Sequence, residues 1–169
     1  DVIQIVNQII GINVGDRVAY AGSGHADFVK VPKHLFVKLP DRVKYNEGAF
    51  VTLGSIAMQG IRQGKFGLGE TIVVYGLGLV GLITTQILNA YGFKVIGIDI
   101  DDKKIKSARD FGAESCYNSD IGKGIITEKI YEQTDGHGVD CVIICAASMK
   151  DNTIVNHAAE LCRKNGRIV

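Results

Sequence analysis

From Glu70 onward, short apolar runs alternate with longer stretches of helical periodicity. Thr71–Val74 is apolar or β-branched at every position, the pattern of a strand buried on both faces. Three glycines follow at 76, 78 and 81, and an apolar run from Leu79 to Tyr91 reads as a helix stopped by Gly92. Lys94–Asp99 is a second strand. Asp101 or Asp102 can cap the next helix, with Ile105, Ala108 and Phe111 on one face and Gly112 as its stop. Glu114–Tyr117 reads as a third strand and Ile121–Gln133 as a helix with Ile125, Ile126 and Ile130 inward. After a turn at Thr134–Gly138, Val139–Ala147 is nearly continuous in apolar residues, as a central parallel strand is. Asn152–Arg163 is a helix with Ile154, His157, Ala158 and Leu161 on one side, and Gly166–Val169 opens a fifth strand. Strands alternating with helices predict an α/β fold, a parallel sheet with right-handed crossovers.

The first forty residues follow a different rhythm. Residues 1–14 are rich in Ile and Val and read as strand and turn; Gly15–Tyr20 is a turn leading into a strand. Ala26–Val31 reads as another strand, stopped by Pro32, and Phe36–Pro40 is extended because Pro40 biases Leu39 away from helix. From Lys44 to Gln63 the pattern is helical, with Ala49, Leu53 and Ala57 at four-residue steps, until Gly64, Gly67 and Gly69 end it. A boundary between two organisational units therefore falls near residues 60–70.

The glycines at 76, 78 and 81 have the spacing G-x-G-x-x-G between a strand and a helix, and Asp99 lies 18 positions past the last of them. Each glycine has its own task. Gly76 permits a tight turn, Gly78 lets a pyrophosphate approach the backbone, and Gly81 lets helix and strand pack closely. The free N–H groups and positive end of the helix then face the phosphates, and the carboxylate of Asp99 suits the ribose hydroxyls of NAD while repelling a 2′-phosphate. Leu77, Leu79 and Val80 lie between the glycines and Ile100 follows the acid, so they join the expected cofactor-binding set. The fold expected is a doubly wound Rossmann sheet of about five strands, incomplete because no sixth strand is in the sequence; the chain is expected to be cut short.

A length of 169 residues suits one domain or one domain and part of another, and a 46% hydrophobic content supports a sizeable core. A net charge of +1, with no basic stripe or aromatic cluster, speaks against a nucleic-acid partner. No apolar run reaches the length of a membrane span, and no signal-peptide pattern opens the chain, so a cytoplasmic protein without membrane contact is expected. Cys116, Cys141, Cys145 and Cys162 show no C-x-x-C spacing and read as reduced thiols; Cys141 and Cys145 share one face of their strand.

Several strings in order resemble the medium-chain dehydrogenase/reductase superfamily, the alcohol dehydrogenase-like enzymes. Gly15–Val18, Ala26–Val29 with Val31-Pro32, and Val37–Pro40 resemble the end of its GroES-like catalytic domain. Glu47–Phe50 with Gly54-Ser55 is similar to its domain-linking helix, Val73–Gly81 to its cofactor turn, and Thr134–Asp140 and Gly166–Val169 to its fourth and fifth strand entries. The resemblance implies residues 1–45 as a β-rich remnant of the GroES-like domain, 46–66 as the linking helix and 67–169 as the cofactor domain. It implies hydride transfer between NAD(P), with NAD favoured by Asp99, and a small alcohol or carbonyl substrate, in a homodimer. Ala49–Gln63 looks most like sorbitol and threonine dehydrogenase-like proteins and a bacterial group fused to a second oxidoreductase domain.

By the same resemblance, Lys104 contacts the ribose; by topology, Ala146 at the end of the fourth strand is expected to pass near the nicotinamide. Ser55 resembles a hydroxyl that relays a proton, the alternative being a helix serine bonded to its own backbone. His25, in a glycine-rich loop bordering the cleft, has the titration range of a general acid, the alternative being a surface histidine. The zinc-binding cysteine of the family falls at Val51, and the cysteine-rich lobe expected between Val18 and Ala26 has no cysteine. No catalytic zinc is expected, and a zinc-independent enzyme is favoured. The alternative from another class is a non-catalytic dinucleotide-binding module or sensor.

Overall fold

The computed structural model describes residues 1–5, 10–22, 24, 26–147 and 152–169. It divides into two compact units, Asp1–Ser55 and Ile56–Val169. The division falls inside a helix, α2 (Val51–Gly64), rather than at the glycines that follow it.

The first unit is small. Strands β1 (Val18–Tyr20) and β2 (Phe36–Lys38) pair antiparallel, with Ala19 opposite Val37. Arg17 fastens the segment after β2: its guanidinium donates to the carbonyls of Pro40 at 2.9 Å and Val43 at 2.7 Å and lies 5.0 Å from the Tyr45 ring centre. Helix α1 (Tyr45–Gly48) is one turn long, so the helix expected from Lys44 to Gln63 is two helices broken at Ala49-Phe50. Among the described residues of this unit, Leu39 is the one buried apolar side chain. Ala26–Val31 is not a strand, and Phe28 within it is 74% exposed. Residues 1–5 and 10–14 also form no strand. Among the described residues the only backbone bonds of residues 1–5 run between Val2 and the turn at Gly15 and Asp16, at 2.8 and 2.9 Å, too few to make a ladder.

The second unit is a parallel sheet of five strands in the order β5-β4-β3-β6-β7. The strands are β3 (Thr71–Tyr75), β4 (Lys94–Asp99), β5 (Ser115–Asn118), β6 (Val139–Ile144) and β7 (Cys162–Ile168). The crossovers are α3 (Leu79–Ala90), α4 (Asp102–Asp110), α5 (Lys123–Gln133) and α6 (Thr153–Leu161). Asp101 caps α4, its carboxylate accepting from the Lys103 N–H at 2.8 Å. One face of the sheet buries Ile72, Val74, Val95 and Cys141 with Leu88 of α3 and Ile105 of α4. The other buries Val73, Tyr75, Ile96, Ile98 and Val142 with Ile126 and Ile130 of α5 and Ala158 and Leu161 of α6. Alternate residues of β3 thus feed opposite cores, as a strand covered on both faces requires.

Three expectations need correction here. Ile125 is 48% exposed, because adjacent Ile126 takes the inward position together with Ile130 one turn on. β6 ends at Ile144, three residues short of Ala147. α6 ends at Leu161 and β7 begins at once; it pairs with β6 at Cys162 and again at Arg167, and the residues between bulge out of register.

Chain order reverses beside β3, with β4 and β5 on one side and β6 and β7 on the other. That arrangement opens a crevice beyond the carboxyl ends of β3 and β6.

Candidate functional site

The turn after β3 is built from contacts that only glycine allows. Gly76 has φ +98°, and a Cβ there would lie 2.6 Å from the backbone nitrogen of Ala146. A Cβ on Gly81 would lie 1.9 Å from the carbonyl oxygen of Gly76. Gly78 differs: a Cβ there would meet nothing within 4 Å. Protein packing therefore explains two of the three glycines, and the third faces open space. Gly78 is also the N-cap of α3 and has no side chain with which to cap it. The first-turn N–H groups of a helix have no intrahelical acceptor, so this end offers donors and positive potential to an anion.

Asp99 is 8% exposed, and its carboxylate faces the same turn. One oxygen accepts from the Leu77 N–H at 2.6 Å. The other accepts from the Asp101 N–H at 2.9 Å and lies 3.7 Å from Lys104 Nζ. An ionised carboxylate has about four acceptor positions, so Asp99 is fixed in place and still has capacity for a ligand hydroxyl. Asn118, at the end of β5, closes this corner by donating to the Ile100 carbonyl at 3.2 Å and to the Asp102 carboxylate at 2.8 Å. The one local signal for that role is its place at a strand's carboxyl end.

Of the residues expected to bind cofactor, Gly76, Leu77, Gly78, Leu79, Val80, Gly81, Asp99, Ile100, Lys104 and Ala146 all lie at the carboxyl ends of β3, β4 and β6 or in the turns and helix starts that follow. Leu79 and Ile100 are 54% and 67% exposed, large apolar side chains left open to solvent. Ala146 is held against the turn, its N–H donating to the Tyr75 carbonyl at 3.1 Å. Cys145, which sequence reasoning treated only as a core thiol, lies beside the same turn, 3.4 Å from where a Gly81 Cβ would be.

The two candidate catalytic residues belong to the first part of the chain. Ser55 is exposed on α2 in the first unit and donates to the Val51 carbonyl at 2.9 Å. His25 lies outside the described residues. His137, in the turn before β6, donates its backbone N–H to the Thr134 carbonyl at 2.9 Å.

The family model described as "Zinc-binding dehydrogenase" matches residues 80–169. A D-xylulose reductase of Saccharomyces cerevisiae is 30% identical over 145 residues, 84% of this chain and 40% of that protein. Sorbitol dehydrogenase 1 of the same yeast is 37% identical over 130 residues, 73% of this chain and 36% of that protein. A mycobacterial protein solved in complex with NADPH superposes with a TM-score of 0.80 at 26% identity, over 94% of this chain and 49% of that one. The chain thus spans about two fifths of the curated relatives it matches.

Among the described residues, the zinc in the family's description finds no fitting set of donors. Val51 has a hydrocarbon side chain, and among the described residues no group of three or more His, Cys, Asp or Glu side chains can hold a metal ion. The thiols are poor candidates as well. Burial raises the pKa of all four, that of Cys141 to about 12, whereas a metal ligand must be a thiolate. With its sheet order, its glycine turn and its matched relatives, the chain belongs to the medium-chain dehydrogenase/reductase superfamily.

Proposed function

We propose that this chain is the coenzyme-binding part of an NAD-dependent oxidoreductase acting on a small alcohol or carbonyl compound. The observation that carries this reading is Gly78: a glycine that no protein atom requires, at the open start of α3, beside a carboxylate already fixed toward the turn. The nicotinamide coenzyme, when bound, supplies the hydride chemistry. The residues of the chain bind and orient it. The N–H groups from Gly78 to Gly81 would take the pyrophosphate, and Asp99 with Lys104 the adenosine ribose. Asp99, Asp101 and Asp102 place three acids near that ribose, which favours NAD over NADP.

In this reading residues 1–45 belong to the catalytic domain, 46–66 form the linking helix and 67–169 form the coenzyme domain. Ser55 then passes a proton between substrate and the coenzyme ribose, giving up its bond to Val51 to do so. Titration calorimetry with NADH and NADPH tests the proposal. Micromolar binding of NADH, at least ten-fold tighter than NADPH, supports it; binding of neither overturns it.

A second reading, a dinucleotide-binding module without turnover, is favoured by two observations: Val51 stands where the family has its zinc-binding cysteine, and Ser55 is satisfied by the Val51 carbonyl. It predicts NADH binding with no oxidation of alcohols and no reduction of carbonyls by the protein of which this chain is part.

A further inference from the structure

Among the described residues, the apolar core between β3 and the pair α5 and α6 contains a chain of polar groups. Tyr75 Oη lies 3.2 Å from His157 Nδ1, and His157 Nε2 lies 3.2 Å from Thr127 Oγ1. The two rings meet edge to face, 5.7 Å apart at 84°. His157 is 1% exposed and Tyr75 5%. Val73, Ile126, Ile130, Ala158 and Leu161 surround them in the same core, and the Lys123 carbonyl at the start of α5 also bonds His157.

Such a chain is a poor way to gain stability, since apolar residues of similar size often serve a core as well. What it does supply is a single defined geometry, because each group satisfies the next only in one arrangement. The place where it does so is informative. Tyr75 is the last residue of β3, immediately before Gly76. Its carbonyl accepts from the N–H groups of both Cys145 at 2.8 Å and Ala146 at 3.1 Å, and Ala146 is the residue against which Gly76 packs. Tyr75 is thus held at its backbone by the end of β6 and at its hydroxyl by α6.

We infer that His157 is a positioning residue for the coenzyme turn: through Tyr75 it fixes where β3 ends and where the N–H groups after Gly76 point. This rests on the coenzyme reading above and extends it to a histidine on a distant helix.

The protonation state of His157 matters to the arrangement. A neutral imidazole has one donor and one acceptor nitrogen, so Tyr75 and Thr127 can be satisfied together. An imidazolium donates from both nitrogens, which leaves the Tyr75 hydroxyl proton without its acceptor. Burial lowers the pKa of His157, and the charge of Lys123 at the start of α5 acts in the same direction; Glu160 on α6 and the Lys123 carbonyl oppose them. The folded value lies below the unfolded value of about 6.5. The histidine's contribution is therefore complete above that pH and is lost as pH falls toward the lowered folded value.

The test is NADH titration of the 169-residue chain from pH 8 to 5.5; the chain has no tryptophan, so enhanced NADH emission is read without indole overlap. Three variants are compared, each with a circular dichroism melt: Tyr75→Phe, His157→Phe and His157→Gln. Tyr75→Phe removes only a hydroxyl and is expected to weaken NADH binding about five-fold at pH 7.5 while keeping its fold, the equivalent of one buried hydrogen bond. His157→Phe is expected to weaken it more, and His157→Gln, which keeps a donor and an acceptor, to recover to within about two-fold of wild type. Wild-type affinity declines as pH falls toward the lowered folded value of His157, and the decline is absent from Tyr75→Phe and His157→Phe. If Tyr75→Phe binds NADH as wild type does with the same pH curve, the network is packing alone and the inference fails while the coenzyme reading stands. If the wild type binds no NADH at any pH, both fail. Should His157→Phe not fold, Tyr75→Phe against wild type decides.

Discussion

The two ends of the parallel sheet solve opposite problems. At the amino end, charges are paired and closed in. Asp140 accepts from the Thr71 N–H at 2.8 Å and from Arg163 Nε at 2.6 Å, while Arg167 pairs with Glu70, donates to the Lys65 carbonyl at 2.7 Å and covers the Phe66 ring. At the carboxyl end, the start of α3 has no side-chain cap, Gly78 faces open space, and Leu79 and Ile100 are exposed. Both ends carry exposed backbone groups of the same kinds. One end spends arginines and carboxylates on its own backbone, and the other leaves donors free. The difference separates residues that hold the fold from residues available to a ligand.

Substitutions at each end test that separation. The largest effect is expected at Gly81→Val, whose side chain cannot clear the Gly76 carbonyl at 1.9 Å. Overpacking against backbone costs about 1–3 kcal/mol or more, so the melting temperature falls sharply and NADH binding is lost; a wild-type melt with full binding contradicts the geometry. Next is Asp99→Ala, which strips an acceptor from the N–H groups of Leu77 and Asp101. Loss of charged hydrogen bonds of about 1.5–3 kcal/mol predicts a drop in NADH affinity of one to two orders of magnitude, with discrimination against NADPH relaxed. Unchanged selectivity would remove Asp99 from the ribose site.

Gly78→Ala sharpens the comparison. Its φ of −69° suits any residue, and its new methyl meets no protein atom. Stability should change by less than about 1 kcal/mol, while NADH binding weakens about ten-fold as the methyl meets the pyrophosphate. Equal binding would show that no ligand approaches there.

The converse is expected of Asp140→Asn, at the other end: NADH affinity stays within two-fold and stability falls by about 1–3 kcal/mol. Burial alone would raise the pKa of Asp140, but the bonds from Arg163 and the Thr71 N–H, with the charges of Arg163 and Arg167, outweigh it and bring the net value below the ordinary one. Its stabilising contribution is thus complete above about pH 3.9 and is lost as pH falls through the lowered folded value. Acid unfolding followed by circular dichroism should show this slope in the wild type and a shallower one in Asp140→Asn.

What the sequence made legible follows the range of the interactions involved. β4 was read to its exact ends, Lys94–Asp99, because its apolar run and terminal acid are local features. The glycine turn was legible for the same reason. Ala26–Val31 has a strand's composition, but strand formation depends on a partner, and none is paired with it. The inward set on α5 went wrong by one position, since adjacent Ile125 and Ile126 differ by a hundred degrees around the helix and cannot share a face. The bulge in β7 depends on β6, and the contact of Tyr75 with His157 crosses 82 positions. Neither has a local signature. In the site, Ser55 had a legible helix position, and its hydroxyl donates to the Val51 carbonyl one turn back.

The unequal surroundings of the three glycines also bear on how this fold decays. Position 81 is locked by the main chain itself, so purifying selection for mere folding keeps a glycine there even in a descendant that has stopped using any nucleotide. Position 78 has no such protection, because drift can fill it without harm to the architecture. In a lineage of related chains, it is the middle letter of the motif, not its outer two, that records whether the crevice is still in service.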